Sequence, residues 1–176
     1  MQSTQSSVAP IQSSSAHISM DHKKDALPGE KLYRLVEESA MSLDLNQQHN
    51  LNKQIMEMLD SHTNVFWQDE CEMTALHIAI SWECLDLVKI LMPYYKENID
   101  IEAEGHTPLY FAISDYHSNP EIYFQIIELL LQNGADPYYQ SRSWVEMPIT
   151  LAQSYPKLIK LISSSAGCIK KINDYV

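Results

Sequence analysis

A six-residue motif occurs twice in this chain, at a separation of 33 residues. Residues 74–79 (Thr-Ala-Leu-His-Ile-Ala) are followed by residues 107–112 (Thr-Pro-Leu-Tyr-Phe-Ala), and a degenerate third copy occupies residues 147–152. Each copy precedes an apolar stripe with helical spacing, at residues 85–91, 126–131 and 158–162. A fixed period of this length predicts an array of stacked helical repeats, which constrains the fold more than any other feature of the sequence.

The local chemistry of the motif agrees with a short helix that leads into a longer one. Thr107 has a hydroxyl that can cap the first helix, and Pro108 suits the first turn, where a backbone N–H would be unpaired anyway. Gly134 follows the second stripe and can adopt the positive φ that ends a helix. One helix pair cannot bury its own apolar face, so stability requires about three or more stacked units.

The three motif copies, together with residues 133–137 (Asn-Gly-Ala-Asp-Pro), resemble the ankyrin repeat. The resemblance covers about residues 68–166 and implies an all-α solenoid of stacked helix pairs with short β-hairpin-like finger loops. The chain departs from the family pattern at Glu72, where the family usually has glycine. The middle repeat also carries about six inserted residues, at 116–121.

The expected domain organisation has a disordered tail, a helical cap, three repeats and a second tail. Residues 1–27 are rich in Ser and Gln and predict disorder, either as a linker or as the carrier of phosphorylation or an export address. One cap helix should place Leu32, Leu35, Val36 and Met41 on a single face. The predicted boundaries are 1–27 for the tail, 28–67 for the cap, 68–101, 102–138 and 139–166 for the repeats, and 167–176 for the C-terminal tail.

The charge balance restricts the class of partner. The chain has 12 Lys and Arg against 23 Asp and Glu, for a net charge of −11. Nucleic acid and anionic membranes both need a basic footprint, so we expect neither as a partner. The acidity favours a protein partner with a basic, Lys- or Arg-bearing surface, or else serves solubility alone. The oligomeric state is left open.

The sequence predicts a cytoplasmic protein. It shows no signal peptide, because eleven of the first twenty residues are Ser, Thr or Gln, and it has no apolar run approaching the ~18 residues that span a bilayer. Three cysteines without a C-x-x-C motif indicate neither a disulfide framework nor a zinc site.

We predict no catalytic, cofactor-binding or metal-binding residue. Four glycines without a glycine-rich run exclude a recognisable phosphate loop. The weaker alternatives are Cys71 with His77, or Cys84 with Asp86, as a nucleophile and its helper, and His106 and His117 with Asp115 as a metal site. The family resemblance instead implies a structural role for His77 between adjacent repeats.

The resemblance also implies that partners bind a concave face made by the finger loops and the first helix of each repeat. Large aromatic residues among acidic ones on such a face are typical of binding hot spots. The alternative is that Trp82 folds back onto the array and that Trp144 fills a turn. The predicted partner-binding residues are Glu70, Met73, Trp82, Glu104, His106, Asp115, Trp144, Glu146 and Tyr155. A second candidate surface is the insertion, with Tyr116, His117 and Tyr123.

These observations predict a non-catalytic protein–protein interaction module, acting as an adaptor or an inhibitor. The alternative is an effector, or a regulator of effectors, that a pathogen delivers into a host cytosol and that uses the same groove on a host or bacterial protein. An enzyme with an atypical Cys/His site is the third hypothesis.

Overall fold

The computed structural model describes residues 27–61, 63–141 and 146–165, and this part of the chain is mostly helical. Within these ranges no strand forms, and the one β contact is an isolated antiparallel bridge between Ala103 and His106. The predicted all-α class is confirmed. The helices are α1 Pro28–Met41, α2 Leu45–Asp60, α3 Ala75–Ser81, α4 Leu85–Tyr95, α5 Pro108–Ser114, α6 Pro120–Gln132, α7 Pro148–Ala152 and α8 Pro156–Ser164. None of them is both long and apolar enough to cross a membrane.

The helices stack in two layers. The inner layer runs α1, α3, α5 and α7, and the outer layer runs α2, α4, α6 and α8, with each helix touching its neighbours in its own layer. Since each inner helix also packs on the outer helix that follows it, the apolar side chains meet in one continuous core. This is the predicted solenoid of stacked helix pairs.

The starts of the inner helices follow the predicted capping chemistry. The Thr107 hydroxyl accepts a hydrogen bond of 3.2 Å from the backbone N–H of Tyr110, and Pro108 occupies the first turn of α5. At the start of α3, Thr74 and His77 form a reciprocal cap. The backbone N–H and the hydroxyl of Thr74 both lie within hydrogen-bond distance of His77 Nδ1, and the Thr74 side chain in turn accepts from the His77 backbone N–H. At the end of α6, Gly134 has φ +97°. The three predicted cap residues therefore act as expected.

The first helix pair packs closely on the first finger loop at Gly29, in the first turn of α1. A Cβ added to Gly29 would lie 2.6 Å from Trp67 Cβ and 2.7 Å from the Asn64 carbonyl oxygen, so only glycine fits there without displacing the next loop. Leu32 and Val36 are buried as predicted. Met41 is not: it is 55% exposed, because it is the last residue of α1 and lies beyond the core.

The insertion in the middle repeat is part of the core. It forms a 3₁₀ turn, Asp115–His117, that places Tyr116 inside the protein. Tyr123 is also buried, and its hydroxyl donates a 3.2 Å hydrogen bond to the Ile80 carbonyl in the preceding repeat. The prediction of an exposed surface around Tyr116 and Tyr123 is therefore wrong, since both rings fill space that the longer turn opens between repeats.

Three glutamates adopt backbone conformations that usually require glycine, namely Glu72, Glu83 and Glu104. Glu72 has φ +59° and occupies the same place in the 33-residue period as Gly105, whose φ is +84°. Glu83, in the turn between α3 and α4, has φ +58°. Its carboxylate accepts hydrogen bonds from Ser118 Oγ at 3.0 Å and from Asn119 Nδ2 at 2.8 Å. Glu83 thus ties the first repeat to the insertion of the second.

We expect Glu72→Gly to change the stability little and Glu83→Gly to destabilise the protein. A left-handed conformation costs a non-glycine residue about 1–2 kcal/mol, while the greater freedom of glycine in the unfolded chain costs about 0.4–1 kcal/mol of stability. At Glu72 the resulting gain of about 0.5–1 kcal/mol is offset by the loss of the 3.2 Å hydrogen bond that its carboxylate accepts from the Glu104 backbone N–H. Glu83→Gly gains the same relief but leaves two polar partners unpaired, for a net loss of about 1 kcal/mol. Urea unfolding of both variants tests this, and equal effects would contradict the role of the Glu83 carboxylate.

Candidate functional site

The loops and the inner helices form one continuous side of the array, which we call the inner face. A loop and an inner helix of the same repeat meet there, since the ring centroids of His106, in the loop before α5, and Tyr110, on α5, lie 4.3 Å apart. The negative charge of Glu146, in the loop before α7, acts on Tyr110. Loops and inner helices therefore present a shared surface.

Three partly buried rings make up the centre of the inner face. His106, Tyr110 and Phe111 form this aromatic patch, with 6.0 Å between the ring centroids of His106 and Phe111. Phe111 also contacts the buried ring of His77 edge to face, at 5.2 Å. This second contact anchors the patch to the core, so its rings are held in place before any ligand arrives.

Sequence reasoning identified His106 but missed Tyr110 and Phe111. Both occupy motif slots whose counterparts in the first repeat, His77 and Ile78, are buried. Larger aromatic rings in these slots extend further toward the surface. Aligning the two motif copies could therefore have identified these residues, because His77 and Ile78 are replaced by Tyr110 and Phe111 in the second copy.

Acidic residues border the aromatic patch. Glu104 and Glu146 are exposed. Glu104 lies in the left-handed region at φ +50°, and its backbone N–H donates to the Glu72 carboxylate at 3.2 Å. Burial raises the pKa of Tyr110, and the nearby charge of Glu146 raises it further. The Tyr110 hydroxyl is thus uncharged at neutral pH, beside an acidic border.

Two other predicted residues belong to the first finger loop. Glu70 is exposed. Met73 is half-buried against the core, and its backbone N–H donates to Asp69 Oδ1 at 2.8 Å. Glu70 is available to a ligand, whereas Met73 mainly supports the loop.

The remaining described candidates lie at the opposite ends of the inner helices. Trp82 directly follows α3, whose seven residues span about 10 Å. The Trp82 residue is 47% exposed. Asp115 is partly buried, and burial raises the pKa of its carboxyl group. The ring of Tyr155 packs edge to face on Tyr116, at 4.9 Å, so Tyr155 is a packing residue as much as a surface one. Trp144 lies outside the described residues.

The surroundings of Cys84 and of His77 do not favour nucleophilic chemistry. Burial raises the pKa of the Cys84 thiol, and the charges of Asp86 and Glu83 raise it further, which opposes the thiolate. His77 Nδ1 is occupied by Thr74, 2.9 Å from its hydroxyl and 3.3 Å from its backbone nitrogen. In the described ranges, no group of three or more His, Cys, Asp or Glu is arranged to hold a metal ion.

The other side of the His77 ring faces the next repeat. Because a backbone N–H can only donate, Nδ1 is the acceptor and the proton lies on Nε2. This Nε2–H points toward the backbone carbonyls of Ile101 and His106, in a geometry short of a full hydrogen bond. Burial lowers the pKa of His77 to about 4. The ring is therefore neutral and structural.

A two-layer stack of helix pairs with a 33-residue period and a continuous inner face defines a repeat solenoid, a class that binds other macromolecules along such faces. The family described as "Ankyrin repeats (3 copies)" matches residues 44–141, more than half of the chain. The chain belongs to the ankyrin-repeat family, whose repeats are protein–protein interaction modules and typically non-catalytic. A comparison with curated proteins finds no match. The matched segment begins at Asp44, the residue directly before α2, and ends before α7. The predicted repeat boundaries stay predictions.

Proposed function

We propose that this protein is a non-catalytic adaptor or inhibitor that binds a partner protein through the inner face. The observation that carries the proposal is the aromatic patch of His106, Tyr110 and Phe111, bordered by the exposed carboxylates of Glu104 and Glu146. Aromatic side chains that are already held in place lose little conformational freedom on binding, so they make efficient anchors.

The acidic border and Trp82 specify the kind of partner. Carboxylates around an apolar centre favour a surface that carries Lys or Arg, because opposite charges speed the encounter and like charges reject other partners. Trp82 offers a second anchor at the far end of α3. We propose that a partner with an apolar centre and a basic rim contacts both anchors, with Glu70 and Asp115 at its edges.

The mechanism is occupancy, either by covering a site on the partner or by holding it beside a second protein. We propose that this takes place in a cytosol. Delivery into a host cell is the alternative setting, in which the inner face would bind a host protein or another delivered protein.

Affinity capture with paired variants tests the proposal. We expect Trp82→Ala/Tyr110→Ala to weaken partner binding by at least tenfold, because truncating an aromatic hot spot costs ~2 kcal/mol or more. The matched control is Tyr94→Ala, a partly exposed tyrosine on the outer helix α4, which should keep the partner. Circular dichroism and thermal melting confirm that each variant is folded. A partner that the double variant retains, or that the Tyr94 variant loses, would contradict the inner-face site.

A further inference from the structure

The exposed side of α1 forms a groove that runs the length of the helix. Two recesses, of about 620 and 640 Å³, lie end to end along it and share Arg34 and Glu37. The α1 residues that line them follow helical spacing on one face. We call this surface the α1 groove. Its lining comprises Glu30, Tyr33, Arg34, Glu37, Glu38 and Met41 of α1, residues 67–70 of the first finger loop, residues 42–44 of the turn after α1, and residue 47 in the first turn of α2.

One end of the α1 groove combines two aromatic rings with carboxylates. Tyr33 and Trp67 meet edge to face, with ring centroids 5.3 Å apart. The Tyr33 hydroxyl donates to Asp69 Oδ2 at 2.6 Å, which fixes the ring against the loop. This end therefore has a rigid aromatic floor with negative charge beside it.

The carboxylates at this end are not balanced by cations of the described residues. Arg34 is the single Lys or Arg in the lining, and its Nη2 pairs with Glu30 at 2.6 Å. Glu37 and Glu70 form no ion pair and accept no hydrogen bond within the described part of the chain. Two carboxylates thus remain free to receive a cation from a ligand.

The other end of the α1 groove carries two exposed apolar side chains among polar ones. Leu43 is 100% exposed and Met41 is 55% exposed, and Leu45, the first residue of α2, is exposed nearby. No element of the described part of the chain covers them, and neighbouring large apolar side chains left in water are typical of a binding surface. This observation is independent of the charges at the first end.

We propose that the α1 groove binds an extended segment of a partner protein that carries an arginine and, about 12 Å away, a large apolar side chain. Eight residues separate Tyr33, on which the arginine stacks, from Met41, and a rise of about 1.5 Å per residue gives this distance. A planar guanidinium can stack on Trp67 and Tyr33 while it bonds to Glu37 and Glu70, which a lysine ammonium does less well. The apolar side chain covers Met41 and Leu43.

This inference rests on the proposed function only in taking a protein as the ligand. It uses the α1 end of the array, which shares Glu70 alone with the predicted partner-binding residues. The spacing also sets the register of the ligand. At about 3.3 Å per residue, an extended peptide spans about 12 Å in four residues, so the arginine and the apolar residue should lie about four positions apart.

The test is selection of a phage-displayed library of random 12-residue peptides on the full chain, followed by titration of the best synthetic peptide. We expect the enriched peptides to carry an arginine about four positions from Leu, Met or Phe. Glu37→Gln/Glu70→Gln should weaken the Kd at least tenfold, and Leu43→Ser should also weaken it. The control is Glu57→Gln/Glu97→Gln, which removes two exposed carboxylates outside the groove and should leave the Kd within twofold.

Three results would overturn the proposal: no enrichment, enriched peptides without arginine, or a peptide whose affinity neither groove variant changes. A peptide that the Trp82→Ala/Tyr110→Ala variant loses and the groove variants keep would overturn it while supporting the inner-face proposal. The reverse pattern would support the α1 groove and count against the inner face, so the two proposals fail separately.

Discussion

Leu109→Ala is expected to lower the free energy of unfolding by about 2–5 kcal/mol, the range for truncating a fully buried leucine. Leu109 is completely buried in α5, and α5 contacts both α3 and α7 in the inner layer. The loss combines the transfer of the removed methyl groups with the cavity that they leave between three helices. Urea unfolding followed by circular dichroism at 222 nm measures it.

The control for this prediction is Leu43→Ala, which removes the same atoms from a side chain that is fully exposed. Its free energy of unfolding should stay within about 0.5 kcal/mol of the unaltered chain. Leu130→Ala, in the outer helix α6, should behave like Leu109→Ala, because Leu130 is also completely buried. If Leu109→Ala and Leu130→Ala had the same free energy of unfolding as Leu43→Ala, the stacking register would be wrong.

Acidification is expected to destabilise the array through His77. Burial lowers the pKa of His77 to about 4, whereas an unfolded histidine titrates near pH 6.5. Between pH 6.5 and pH 4, His77 therefore binds a proton in the unfolded chain but not in the folded chain. The stability that the neutral ring contributes is complete above pH 6.5 and is lost as the pH falls toward 4, for a total of roughly 3 kcal/mol.

The measurement compares the unaltered chain with His77→Gln at pH 7.5 and pH 4.2, on either side of the isoelectric point near 4.9. Carboxylates titrate in both proteins, so the difference between the two pH effects isolates His77. We expect the unaltered chain to lose roughly 3 kcal/mol more than the variant. Equal losses would mean that the imidazole accepts a proton in the folded state, which the buried position and the Thr74 contacts argue against.

The repeat architecture could be predicted from the sequence because the features that indicate it are local and periodic. The motif at 74–79 and its copy at 107–112 supplied the period, and the cap formed by Thr107 and the end formed by Gly134 depend only on neighbouring backbone groups. Such features are fixed by spacing and by residue type, so they can be identified without knowing which helices meet.

The surfaces were only partly predictable, since exposure depends on contacts between distant parts of the chain. Tyr116 lies in a polar insertion and Tyr123 follows it in α6, yet both rings are buried. Met41 continues an apolar helical stripe, yet it is exposed because the stack ends before it. Predicted site residues therefore divided into exposed ones, such as Glu70 and Trp82, and supporting ones, such as Met73 and Tyr155.

By itself the sequence determined the helical period, the helix starts and ends, the acidic charge and the resemblance to the ankyrin-repeat family. Only the tertiary structure decided that Glu83 binds the next repeat, that Tyr110 and Phe111 join His106 on the inner face, and that α1 carries a groove of its own. The physical reason is range: capping and periodicity act within a few residues, whereas burial, pairing of charges and open grooves arise where units some 33 residues apart are brought into contact.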